Sequence, residues 1–479
     1  MKINLKELTI QKARKALDGK VFSAVELVQT YLDEIKNKNK ELNAYLEVFD
    51  DVLEQARVAD EKIAKGETHP LLGIPLAIKD NILIEGKKVS SASNILGTYV
   101  ASYDATVISK LKKAGAVFLG RTNMDDSAMG GSTENSAYGV TKNPHDISRV
   151  AGGSSGGSIA AVAANLALGA LGSDTGGSVR EPAAFCGIVG MKPTYGRVSR
   201  HGLMALGSSL DCIGPVAKNV EDTNIIYQAI HGADVLDSTT ITDTTYEKSS
   251  SKKELTIGVP WDLVNGDGVD KDVKENFKQS TEKFKSLGFE IKDISLKNLD
   301  MALAVYYIIM PAEASTNLSR IDGMRYGYSA KGDNLWEVYK KSRGKGFGKE
   351  VRRRILIGTY VLSAGYYDAY YGKAQMIRAM LKKEFTSAFK DVDIISTPTA
   401  PFVAWKIGEK SDPLSMYLAD IFTITANIVG VPAISVPSGF SEIEGKKLPL
   451  GIQFMAPHGR EDLLFDIGKE FESLETENL

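Results

Sequence analysis

The sequence predicts an α/β fold, a large mixed β-sheet covered by helices on both faces. Three observations carry that expectation. Segments with helical periodicity alternate with short apolar runs of strand length. Hydrophobic residues make up 43% of the 479 positions and charged residues 25%, a composition with ample apolar material to bury. Glycine is frequent, with 45 residues or about 9% against an average of about 7%, and two of the loops are built largely from it.

Taken in order, residues 5–17 and 23–35 show helical spacing, and Ser23 stands where a capping hydroxyl is wanted. At residues 69–82 the period changes to two: Ile74, Leu76 and Ile78 alternate with Pro75, Ala77 and Lys79, as in a strand. Residues 105–113 predict a helix that Gly115 ends, and 116–120 a buried strand. The run at 158–172 (SIAAVAANLALGALG) reads as a buried helix leading into a strand, since a membrane span needs roughly 20 apolar residues. The polar stretch 237–254 predicts a surface loop within one domain, and 254–260 resumes as a strand. Residues 342–349 (SRGKGFGK) predict a mobile loop between helices, and 393–398 and 431–437 predict late strands. The expected organisation is one domain over 1–479: a helical segment 1–65, a core 70–235, the loop 237–254 and a continuation 255–479.

Charge and cysteine content narrow the functional classes. Fifty-eight Lys+Arg against 60 Asp+Glu give a net charge of −2, which argues against gripping nucleic acid or an anionic membrane through the overall field. Cys186 and Cys212 are too few for a disulfide framework and have no metal-ligand spacing around them. The first residues read as a charged amphipathic helix rather than a signal peptide. A reducing cytoplasm is the expected setting, with no membrane and no metal.

The glycine motifs allow several chemistries. G-x-x-x-x-G-R-T at 115–122 is one residue from a phosphate loop, but its centre, Ala116 to Leu119, belongs in a buried strand and Arg121 replaces the lysine. GGSSGG at 152–157 matches a nucleophile elbow centred on Ser154 or Ser155. That reading needs a late histidine, and of His69, His145, His201, His231 and His458 only the last qualifies. In Ser173-Asp174-Thr175-Gly176-Gly177-Ser178 two glycines precede a serine. Glycines there can turn successive N–H groups into one hollow. Donors aimed at a developing oxyanion are worth roughly 3 kcal/mol each. A serine nucleophile also needs a base, and a lysine kept neutral by burial can be one. Lys79, at the end of an apolar strand, fits, with Ser154 or Ser155 between it and Ser178.

GGSSGGS at 152–158 followed by GSDTGGSVREPA at 172–183 resembles the amidase signature, and CGIVGMKPTYGRVSR (186–200) and SSLDCIGP (208–215) extend the resemblance. It implies the amidase-signature fold and a Ser–cis-Ser–Lys triad. Ser178 would be the acyl-ester nucleophile, Ser154 the bridging serine behind a cis Gly153–Ser154 peptide, and Lys79 the base. Thr175, Gly176, Gly177 and Ser178 would form the oxyanion hole.

MDDSAMGGSTENSAYG (124–139), GFGKEVRRRI (346–355), SAGYYDAYY (363–371) and DPLSMYLADI (412–421) are similar to the A-subunit family of glutamyl-tRNA(Gln)/aspartyl-tRNA(Asn) amidotransferases. Members of that family release ammonia from glutamine for amidation of Glu-tRNA(Gln) or Asp-tRNA(Asn). The resemblance implies partner B and C subunits in a heterotrimer, with ATP and Mg2+ used by B, tRNA met mainly by B, and no cofactor on this chain. It also implies substrate contacts from Arg354 to the glutamine carboxylate, from Asp420 to its ammonium, from Tyr306 as a pocket wall and hydrogen-bond donor, and from Met129. Arg352 and Arg353 are expected on a solvated face. Glu181, Thr425 and Gly131 depart from the family's commoner Gln, Pro and Ser. The competing functions are a stand-alone amidase acting on small amides, and a non-catalytic scaffold.

Overall fold

The computed structural model describes residues 3–242, 244–245, 255–410 and 412–476. Its strands, in chain order, are β1 (Tyr45–Val48), β2 (Pro75–Lys79), β3 (Val117–Thr122), β4 (Lys142–Asn143), β5 (Asp146–Val150), β6 (Gly169–Asp174) and β7 (Val189–Lys192). There follow β8 (Cys212–Ala217), β9 (Thr256–Val259), β10 (Glu290–Asp293), β11 (Ile394–Pro398), β12 (Ala433–Ile443) and β13 (Lys446–Met455). Eleven of them form one sheet in the order β1-β3-β2-β6-β8-β7-β12-β13-β11-β9-β10, and β4 pairs with β5 apart from it. Parallel and antiparallel pairs both occur: β3, β2 and β6 run parallel, as do β11, β9 and β10, and the strands between them are antiparallel. This is the α/β fold with a mixed sheet that the sequence predicts.

The N-terminal helices follow from their caps. Thr9 accepts the Lys12 N–H and starts the helix Ile10–Asp18, so helix begins later than the periodicity from residue 5 suggests. Ser23 and Glu26 form a reciprocal capping box for Ala24–Leu42. This second helix outruns its expected end at residue 35, because its last two turns are polar and bury only Leu42. They carry no apolar stripe that sequence periodicity could register.

The expected mobile loop at 342–349 is instead helix through Gly346, in Leu335–Gly346, and Lys349 already opens Lys349–Val361. The glycine there serves close packing. A Cβ on Gly346 would stand 2.7 Å from Ile95 Cβ, and Ser342 is buried with its hydroxyl on the Val338 carbonyl. The polar stretch 237–254 falls mostly outside the described residues; its first part is held by Asp237, ion-paired with Arg200 at 3.2 Å. No described helix is long and apolar enough to cross a membrane.

The sheet order brings three chemistry-bearing strand ends together. In the parallel trio β3-β2-β6 all three carboxyl ends, Thr122, Lys79 and Asp174, reach the same edge. Clefts at carboxyl ends of parallel strands are where α/β sheets place their chemistry. The helix Gly156–Ala163 leads into β6 and presents its first residues to that edge.

Candidate active site

Lys79 ends β2 with its amine inside the protein: the residue is 0% exposed. Nζ lies 2.8 Å from Ser154 Oγ, 2.8 Å from Ser155 Oγ, 2.9 Å from Ser173 Oγ and 3.2 Å from the Ser173 carbonyl. The partners are hydroxyls and one backbone oxygen, with no carboxylate among them. Burial therefore dominates and pushes the amine down to about 7, although Asp125, Asp174 and Asp211 pull the other way. A neutral amine has two N–H donors and a lone pair, so it can accept a proton from a hydroxyl beside it. Asn81 fixes one side of this cage by donating to Ser173 Oγ at 2.9 Å.

The peptide Gly153–Ser154 is cis, as the resemblance implies. Four backbone groups along the loop are tied. Gly152 O accepts the Thr133 hydroxyl at 2.7 Å, Gly153 N–H donates to Glu181 Oε2 at 3.1 Å, and Ser154 O accepts the Asp125 N–H at 3.2 Å. Ser155 N–H then donates to the Ser178 carbonyl at 3.1 Å, joining the first glycine loop to the second. Ser178 is 8% exposed, against 0% for Ser154 and Ser155, so of the three serines it is the one with surface open to a substrate. With Ser154 and Ser155 sealed in, the nucleophile-elbow reading loses its exposed nucleophile. His458, the histidine it required, stands with Nε2 3.2 Å from the Val429 carbonyl.

The second loop is shaped by a carboxylate to which the sequence alone assigned no role. Asp174 accepts the Gly177 N–H (2.9 Å), the Val179 N–H (3.2 Å), Arg180 Nε (3.0 Å) and Nη2 (2.9 Å), and Asn427 Nδ2 (2.9 Å). Burial alone would raise this carboxyl, but the Arg180 guanidinium outweighs it and holds Asp174 down at about 2. Arg180 is itself fully buried, reaching Thr423 O and Gln453 Oε1 as well. The signal in the sequence was a D-x-x-x-x-x-R spacing across a glycine turn. A second carboxylate, Asp211, steadies the same loop by accepting the Thr175 hydroxyl at 2.7 Å.

This geometry amends the expected oxyanion hole. The Gly177 N–H is committed to Asp174, whereas those of Thr175, Gly176 and Ser178 have no hydrogen-bond partner among the described residues. Gly177 contributes through its conformation, φ +139°. It also has no room for a side chain, because a Cβ there would overlap Thr423 Oγ1. The Thr423 hydroxyl donates to the Gly176 carbonyl at 2.7 Å, and a Cβ on Gly176 would stand 2.6 Å from the Tyr306 ring. The loop is thus clamped between Tyr306 and Thr423. Gly177→Ala is expected to lower kcat about 10^2-fold, the cost of roughly an ångström of misplacement, with a much smaller change in KM. Steady-state kinetics with folding checked by thermal unfolding test this; an unaltered kcat would mean the loop has slack.

Arg354 and Asp420 lie on the helical side of the same loop. Of the three consecutive arginines, Arg354 alone turns inward at 3% exposure, while Arg352 is exposed and Arg353 partly so, as expected. Arg354 Nε donates to Glu350 Oε1 at 2.7 Å, and its guanidinium lies 5.3 Å from the ring centres of both Tyr307 and Tyr417. These rings are themselves 3.8 Å apart, and Tyr417 OH also donates to Glu350. One edge of the guanidinium is therefore used internally. Burial raises Asp420 to about 7, against the opposing pull of Arg354, so the carboxyl is poised to ionise on meeting a cation. The hydroxyl that reaches Asp420 is that of Tyr307, at 3.2 Å. Tyr306, expected as a pocket wall and donor, packs over Gly176. Met129 is 0% exposed within the apolar cluster that includes Met124, Met310 and Ile424. A Cβ at Gly131 would have free space, with only Met416 at 4.0 Å. The Thr425 hydroxyl is buried without a hydrogen-bond partner.

Comparison with known proteins shows the family and the fold. The Amidase family model matches residues 26–465. The A subunit of a glutamyl-tRNA(Gln) amidotransferase from Desulfatibacillum aliphaticivorans is 50% identical over 474 residues, covering 98% of this chain and 97% of that protein. The crystal structure of the glutamyl-tRNA(Gln) amidotransferase A subunit of Thermotoga maritima superposes with a TM-score of 0.79 at 39% identity, covering 97% of this chain and 94% of that one. A component of a vestigial protein complex, described as revealing the origins of an s-triazine catabolic enzyme, superposes at 0.83 with 30% identity, covering 98% of both chains.

Proposed function

The chain belongs to the amidase family, and on that premise we propose that it is the glutaminase subunit of a tRNA-dependent amidotransferase, acting in the cytoplasm. The observation that carries the chemistry is the buried Lys79 amine 2.8 Å from Ser154 Oγ, in a cage without a carboxylate, beside the loop that bears Ser178. Relatives of near-equal length, named as the A subunit of glutamyl-tRNA(Gln) amidotransferase, support the choice of glutamine over other amides.

The side-chain amide of glutamine lies with its carbonyl carbon at Ser178 Oγ. As Oγ attacks, its proton passes to Ser154, whose own proton passes to the Lys79 lone pair. The carbonyl oxygen, now an oxyanion, meets the free N–H groups of Thr175, Gly176 and Ser178. Lys79 returns the proton through Ser154 to the departing nitrogen, the C–N bond breaks, and ammonia leaves a γ-glutamyl ester on Ser178. Water, activated by the same lysine and serine, cleaves that ester to glutamate and regenerates the enzyme. Asp174 and Arg180 touch no substrate; they hold the donors in place before charge develops. Ammonia then amidates glutamyl-tRNA(Gln) in a partner B subunit that uses ATP and Mg2+, with a C subunit joining the two and Asp-tRNA(Asn) as a further acceptor class.

Glutamine carries its own carboxylate and ammonium, and Arg354 and Asp420 supply the complementary charges. Because Glu350 occupies Arg354 Nε, the carboxylate is met by the terminal nitrogens. The test is glutamine-dependent amidation of Glu-tRNA(Gln) by the chain purified with B and C subunits, together with Arg354→Ala. The variant is expected to raise KM for glutamine by about 10^2-fold, since a charged hydrogen bond is worth roughly 1.5–3 kcal/mol, while leaving hydrolysis of a simple aliphatic amide unchanged. Equal loss on both substrates, with no amidation by the wild-type assembly, would favour a stand-alone amidase.

A further inference from the structure

One carboxyl beside the serine loops has no part in the proton relay. Glu181 follows Ser178 by three residues, in the first turn of the helix Arg180–Cys186, and is 0% exposed. Its Oε2 accepts the Gly153 N–H at 3.1 Å, and its Oε1 has no hydrogen-bond partner. The backbone is pressed against it, since a Cβ on Gly152 would stand 2.6 Å from Oε2. From the other side of the loop, a Cβ on Gly153 would overlap Asp125 Oδ2. Gly153, the residue before Ser154, is thus held between two carboxyl side chains, and Glu181 supplies the only acceptor for its N–H among the described residues.

The groups that face Glu181 are acidic: Asp420, Asp125 and Asp174, with the Cys186 thiol alongside. Arg180, its neighbour in sequence, is turned to Asp174, Thr423, Asn427 and Gln453. An ionised carboxylate needs a cation or several N–H donors to be stable out of water. Here one N–H is present, and one oxygen is left bare. Binding a proton removes the charge at less cost than burying it.

We propose that Glu181 is held as a neutral carboxylic acid and acts as a positioning residue, its Oε2 fixing the Gly153 N–H, one peptide before Ser154, so that the Ser154 hydroxyl faces Lys79. Burial first, and then the carboxyl of Asp420, push Glu181 well above the usual carboxylate range, in keeping with this arrangement. A neutral acid and a primary amide share shape and acceptor oxygen, so Glu181→Gln preserves the contact, whereas Glu181→Ala leaves the Gly153 N–H buried and unpaired.

The experiment is an infrared difference spectrum of the full chain near neutral pH, wild type minus E181Q, combined with glutamine kinetics of the assembled enzyme. The expected spectrum contains the carbonyl band of a protonated carboxyl in the wild type, lost in E181Q. E181Q is expected to keep kcat and KM near wild type, and E181A to lower kcat about 10^2-fold with KM little changed. Absence of that band from the wild-type side of the difference would overturn the proposal by showing an ionised Glu181. So would an E181A enzyme with unaltered kcat, or a large kcat loss in E181Q. If E181A does not fold, the E181Q spectrum and kcat still decide. The kinetic arm rests on the glutaminase reading, but the spectrum does not; a wild type that fails to hydrolyse glutamine while keeping the band would sink that reading alone.

Discussion

Ser178→Ala abolishes glutamine-dependent amidation by the assembled enzyme and leaves amidation with added ammonium salt at the wild-type rate. The expected fall in glutaminase kcat is on the order of 10^6-fold, as for loss of a nucleophile from a mature acyl-transfer site. The reason is positional. Ser178 stands at the end of a turn whose N–H groups are aimed by Asp174, and it is the most exposed of the site serines. Removing one oxygen from an 8% exposed residue leaves the loop contacts intact, including the Ser178 carbonyl that holds Ser155. Stability should therefore be nearly unchanged, and the ammonia-dependent reaction in the partner has no need of the hydroxyl. Parallel assays with glutamine and with ammonium distinguish the outcomes. If both activities fall together, Ser178 supports the assembly rather than the ammonia supply.

Lys79→Met lowers glutaminase kcat by about 10^4-fold, the upper range for a general base and equivalent to roughly 5.5 kcal/mol of barrier. Methionine matches the length of the lysine stem but has no proton-accepting amine. Lys79→Arg should do no better, because a guanidinium stays protonated at any working pH. The substitution also strips the Ser154, Ser155 and Ser173 hydroxyls of a common partner, so some loss of melting temperature is expected as well. The wild-type rate carries the same information in its pH dependence. With Lys79 at about 7, the amine is mostly free above neutrality and increasingly protonated below it. Activity therefore falls on the acid side, by about tenfold per pH unit once well below the pKa. Asp420, also at about 7, loses its charge over the same range, which adds a rise in KM for glutamine at acid pH.

Much of this site could be read from residues close together in the chain. The two-residue period over Ile74, Leu76 and Ile78 placed Lys79 at a strand end, and burial of the whole strand follows from its neighbours β3 and β6. The glycine-serine loops were legible because their chemistry is local. What was not legible depends on partners far apart in sequence. The Asp174 cradle needs Asn427, and the Arg354 cage needs Tyr307 and Tyr417. Nothing in the local pattern says that Gly177 N–H goes to Asp174 rather than to a substrate, or that Tyr307 reaches Asp420. The glycines of 342–349 misled for a related reason: sequence alone does not separate a glycine that loosens a loop from one that lets a helix approach Ile95. Glu181 was visible as a departure, yet its meaning required the bare Oε1 and the acidic surroundings.

The central claim is that Lys79 is uncharged when it acts. Kinetic profiles cannot isolate it, because Asp420 titrates in the same range. Carbon-13 NMR of protein labelled at lysine Cε can, with the Lys79 signal identified by its loss in Lys79→Met. This signal is expected to titrate at about 7; titration at the ordinary lysine value of about 10.4 would contradict a neutral Lys79.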